Sequence, residues 1–112
     1  MIPKRLQVQN LSYEIIVSQD KIHRHNTITG QVCYGYTDTR MEQIVIDPVQ
    51  GKQQLVDTLV HEWLHAINYA TDAASDIGKD KEETLVSRLA GPLIDSLRRN
   101  PEFVAYLMEQ DG

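Results

Sequence analysis

The hydrophobic period of this chain changes at Gln53, and that change restricts its fold more than any other feature. Before it, apolar residues come in short β-branched runs: "YEIIVSQ" (Tyr13 to Gln19), "QVCYGYT" and "QIVIDP". Runs of this length and composition read as strands. After it, Leu55, Leu59, Trp63, Ile67 and Ala70 recur at helical spacing, which predicts a helix over Gln53 to about Thr71 with one apolar face. "EETLVSRLAGPLIDSLRRN" resumes that spacing through Leu85, Val86, Leu89, Leu93 and Leu97. Strands followed by helices predict an α+β fold. The expected architecture is a small antiparallel sheet of about three strands packed against the Gln53 helix. A second long helix and a short C-terminal one should follow it.

Local signals refine this expectation. Val32, Tyr34 and Tyr36 should share one strand face, with Asp38 to Met41 as the hairpin connection to the next strand. "KIHRHNTIT" is consistent with either a helical turn or a loop. "TDAASDIGKD" reads as a loop, and Asp80 as the N-cap of the second helix, with Gly91-Pro92 expected to kink or interrupt that helix. Asn100-Pro101 should open the last helix.

At 112 residues the chain has the size of one domain, residues 1–112. Its net charge of −5, with both signs interleaved, argues against a nucleic-acid-binding surface. Cys33 is the single cysteine, so no internal disulfide forms. No run approaches the ~20 apolar residues of a membrane span, and the N-terminus lacks a signal-peptide core. These features predict a cytoplasmic protein with no membrane partner; they do not assign an oligomeric state.

The apolar face of the first helix is ordinary, but its polar face is not. Within "TLVHEWLHAINYA", His61 and His65 stand four apart, one turn above each other, and Glu62 follows the first. Two neutral imidazoles so placed can reach one zinc ion, and the glutamate at the edge of that face can take a proton from a metal-activated water. This is HExxH, the arrangement of zinc peptidases. With four histidines in the chain, chance placement yields it in roughly one such chain in a hundred. The plainer alternative is an amphipathic helix that carries two solvated histidines.

A catalytic zinc site needs a third protein ligand. Glu82 and Glu83 follow His65 by seventeen and eighteen residues, so a helix–loop–helix reversal can return either to the site. Glu83 is the preferred ligand, although with Asp80 it also forms a capping-box pattern. Glu82 stays open as a ligand or as a favourable charge in the first helical turn. Asp57 and Asp72 are candidate carboxylates for the outer N–H groups of the histidines. The strand Glu42 to Asp47 is a candidate edge for pairing with a substrate peptide. Tyr34, Tyr36 and Tyr69 are possible oxyanion helpers, each more simply read as packing. Cys33 could ligate metal but is better read as a buried strand residue, and His23 and His25, in the undecided N-terminal segment, stay open as alternative third ligands.

"HEWLH" followed by "EETLVSRLA", with "IVIDPVQGKQQLVDTLVHEWLHA" upstream, resembles the gluzincin-type metallopeptidases. The likeness is strongest to the small ImmA/IrrE-like proteins of phages and mobile elements. It spans roughly Tyr34 to Leu107. Val86 stands where that family more often has alanine, and no histidine follows His65, which sets the chain apart from SprT-like proteases. The resemblance implies one Zn²⁺ held by His61, His65 and Glu83, with Glu62 as general base. It also implies a zinc-dependent endopeptidase acting on a protein or peptide substrate. The alternative is a non-catalytic, zinc-stabilised binding module of a phage or mobile element. A metal-free helical adaptor is a further one.

Overall fold

The structure is a computed structural model that describes residues 1–109. Its class is α+β, as expected, with elements β1 (Arg5–Val8), β2 (Leu11–Val17), α1 (Gln19–Thr29), β3 (Gly35–Asp38), β4 (Gln43–Ile46), α2 (Lys52–Ala70), α3 (Ala73–Ile77), α4 (Lys79–Arg99) and α5 (Pro101–Leu107). The sheet differs from the expected three antiparallel strands. It has four, in the order β1-β2-β4-β3, and its central pair β2·β4 is parallel.

Two elements account for the difference. β1 pairs with β2 across a tight turn, Val8 opposite Leu11, in which Gln9 takes a left-handed conformation (φ 54°). The ambiguous "KIHRHNTIT" lies within α1. Ser18 caps that helix by accepting a hydrogen bond from the Lys21 amide (3.1 Å), and Gly30 closes it at φ 72°. Parallel strands cannot be joined by a hairpin, and α1 lies in the crossover that makes the β2·β4 pairing possible.

β3 and β4 form the expected hairpin, held by Asp38 Oδ1, which accepts from the amides of Arg40 and Met41 (3.1 and 3.0 Å). The predicted strand "QVCYGYT" is shorter than expected. Gln31 to Tyr34 carry no ladder, so Val32, Tyr34 and Tyr36 do not share a strand face. Instead the Asn26 side chain, on α1, bonds both the N–H and the C=O of Cys33 (3.1 Å each). β4 is not the edge suggested for Glu42 to Asp47. It lies between β2 and β3, buried on both faces, and the edge strands are β1 and β3.

Alternation along β4 sorts the core. Ile44 and Ile46 join Val8, Tyr13, Ile15 and Ala66 in one cluster, against which the α2 residues Leu55, Leu59, Trp63, Ile67 and Ala70 pack. Val45 points the other way and is buried, as is Ile22 of α1, which contacts β4. α4 lies along α2 through a stripe of Glu82, Val86, Ala90 and Ile94. Leu85 and Leu89, expected in that stripe, are exposed. α4 starts one residue before Asp80, after Gly78 at φ 88°, so Asp80 is not its cap. The helix also runs through Gly91-Pro92 unbroken. Pro92 deprives only the Arg88 carbonyl of a partner, and both residues face solvent, where water can satisfy it.

Candidate metal centre

The reversal through α3 places the first turn of α4 beside the C-terminal half of α2. Helical spacing puts the His61 and His65 rings together, with their Nε2 atoms 3.1 Å apart. Glu83 reaches across from α4, its Oε1 3.2 Å from His61 Nε2 and its Oε2 2.6 Å from His65 Nε2. One ligand atom from each of the three residues can be chosen with all of them within 4.8 Å of one another. A tetrahedral zinc with bonds of about 2.0–2.1 Å sets its ligands roughly 3.3 Å apart, so the spacing suits such an ion.

The donor chemistry points the same way. His65 Nδ1 lies 2.9 Å from both carboxylate oxygens of Glu82, a group that accepts and so selects the Nδ1–H tautomer. The Nε2 lone pair of a neutral His65 then faces the Glu83 carboxylate. Nitrogen and oxygen atoms that converge at this distance share either a proton or a metal cation, and three such donors are what a metal ion needs. His61, His65 and Glu83 together could hold a metal ion.

Glu82 is thus the residue that sequence reasoning placed least well. Its side chain is 7% exposed and also accepts from Asn68 Nδ2 at 2.7 Å, so it supports the site from behind while the half-exposed Glu83 enters it. Its signal lay in the i, i+4 stripe it shares with Val86 and Ala90. The expected outer carboxylates do not take this place. Asp57 bonds Gln53 (3.0 Å), and Asp72 sits in a left-handed turn (φ 63°) before α3. Glu83 spends its carboxylate on the histidines and on Ser87 (3.2 Å), not on a capping box.

Glu62 lies under β3, 6% exposed, with Oε2 4.0 Å from His61 Nε2 and Oε1 2.9 Å from Thr37 Oγ1. Burial pushes its carboxyl above the usual carboxylate range, against the opposing pull of His61 and of the Thr37 hydrogen bond. These groups open onto a cleft of about 1000 Å³, whose walls include Tyr34, Tyr69 and His25.

Set beside family models, curated proteins and solved structures, the chain matches none of them. Site geometry is therefore the basis for any functional reading.

Other candidates fall outside the three-ligand group. His25 stacks on Tyr36 with ring centroids 4.1 Å apart, and His23 is exposed. The Cys33 thiol, pushed up by burial, donates to Asn26 Oδ1 at 3.0 Å. Among the described residues, no helix is long and apolar enough to cross a membrane.

Proposed function

We propose that the chain is a zinc-dependent endopeptidase of the gluzincin type, related to the ImmA/IrrE-like proteins, that works on a protein or peptide in the cytoplasm. The observation that carries the reading is the convergence of His61, His65 and Glu83 with the Glu62 carboxylate at its side. His61, His65 and Glu83 would hold the ion, which when bound supplies Lewis-acid activation of a water and of the scissile carbonyl.

The remaining work falls to the chain itself. Glu62 takes a proton from the attacking water and hands it to the leaving amine, a role that suits a carboxyl with a raised pKa. Glu82 fixes the His65 tautomer and ring orientation. β3 is the edge strand on the side of the sheet that runs over Glu62, so its outer edge offers backbone groups to an extended peptide.

Glu62→Gln tests the assignment, because it keeps the size of the side chain and removes the base. The expected outcome is zinc content equal to wild type with turnover lost. Retained turnover would contradict the role of Glu62. A zinc-loaded wild type that cleaves no polypeptide, with four protein ligands on the ion, would favour the non-catalytic binding module.

A further inference from the structure

Glu62 is held by a residue that the reaction itself does not require. A glutamate side chain has three rotatable bonds, and a general base must point one oxygen at its proton donor. Among the described residues, the Glu62 carboxylate accepts one hydrogen bond, from Thr37.

Thr37 belongs to the edge strand β3. Gly35 and Thr37, two apart, turn the same face toward α2, in register with the core residues Ile46 and Ile44. Gly35 lets the strand come close. A Cβ there would meet Thr58 Cγ2 at 2.7 Å and Glu62 Cγ at 3.3 Å. With the strand seated so tightly, the Thr37 hydroxyl reaches both Glu62 Oε1 (2.9 Å) and the Glu62 backbone carbonyl (3.0 Å). A hydroxyl carries one proton, and a charged acceptor forms the stronger bond, so an ionised Glu62 takes it. The other oxygen, Oε2, is left toward His61.

We propose that Thr37 is the positioning residue for Glu62: its hydroxyl anchors Oε1 so that Oε2 faces the open side of the His61–His65–Glu83 group. The proposal rests on the reading of Glu62 as general base. It makes one strand serve two ends, since the element whose edge is offered to the substrate also aims the base. A peptide that displaced β3 from α2 would misalign Glu62 at the same time.

The test compares Thr37→Val, which keeps the shape and removes the hydroxyl, with Thr37→Ser, which keeps the hydroxyl. Crystal structures of the metal-free variants read the Glu62 carboxylate directly. Zinc-loaded protein is assayed on oxidised insulin B chain. In Thr37→Val the carboxylate should move by about an ångström or split between rotamers, and turnover should fall about tenfold or more. Zinc content should not change. Thr37→Ser should restore both position and turnover. An unmoved carboxylate in Thr37→Val, or a serine variant as impaired as the valine one, would overturn the proposal. Absent turnover in wild type would count against the peptidase reading instead, and the crystal structures would still decide the claim about Thr37.

Discussion

Replacing Glu82 by glutamine separates its role from that of Glu83. The carboxylate is buried, lies 2.9 Å from His65 Nδ1 through either oxygen, and takes a 2.7 Å bond from Asn68. Glutamine preserves the volume and one acceptor. Its amide can turn its oxygen to His65, and the Asn68 amide can flip to accept from its NH₂. What disappears is the charge. A hydrogen bond to a charged group contributes about 1.5–3 kcal/mol, against about 0.5–1.5 kcal/mol for a neutral one. The difference of roughly 1–1.5 kcal/mol corresponds to about a tenfold loss of zinc affinity, at the lower end of the range for such outer partners. Glu82→Ala also strands the His65 N–H and the Asn68 amide, so its loss should approach a hundredfold. Zinc competition against a chromophoric chelator measures both, with Asp57→Asn as the control that should leave affinity unchanged. An affinity of Glu82→Gln within twofold of wild type would refute the assigned support. A collapse of a thousandfold, with Glu83→Gln losing only tenfold, would show that the two glutamates have been assigned in the wrong order.

Three further outcomes follow from the same geometry. In metal-free protein Glu62→Gln should be more stable than wild type at pH 8, since burial raises the folded pKa and the fold disfavours the ionised form. The gap should close as pH falls through that raised value toward the ordinary carboxylate range, and a thermal melt at pH 8 with the variant below wild type would contradict it. Tyr13 is fully buried and its hydroxyl has no hydrogen-bond partner among the described residues. Tyr13→Phe should therefore stabilise the protein by about 1 kcal/mol in denaturant titration, and a loss of stability would show that the hydroxyl is satisfied. Gly35→Ala puts a methyl 2.7 Å from Thr58 Cγ2 and 3.2 Å from the Val45 carbonyl. It should cost about 1–3 kcal/mol by overpacking, and an unchanged unfolding midpoint would mean that β3 can shift without penalty.

The helical half of the fold was the more legible one because its signals are local. The Leu55 to Ala70 stripe sets the facing of α2, and HExxH on the other side then follows from helix geometry. The strand half depends on partners distant in sequence. "IVI" is a run buried on both faces, which suits a central strand, but no local feature says that β2 pairs parallel to it. α1 buries one residue, Ile22, among polar neighbours, so it lacks an apolar stripe; Ser18 and Gly30 were its readable marks.

The same limit governs Glu82. The large leucines of α4 suggest a face through Leu85 and Leu89, whereas the helix packs through the smaller Val86 and Ala90. That choice turns Glu82 inward and Glu83 toward the histidines. Which glutamate ligates was thus a question of helix rotation, set by close packing between two helices and not by either sequence alone.

The most direct test is zinc content per chain after extensive dialysis, on wild type beside Glu83→Ala. The account predicts about one zinc per wild-type chain and essentially none in the variant, from three ligands of which one is gone. A wild type that holds no zinc, even after zinc is added back, would contradict it.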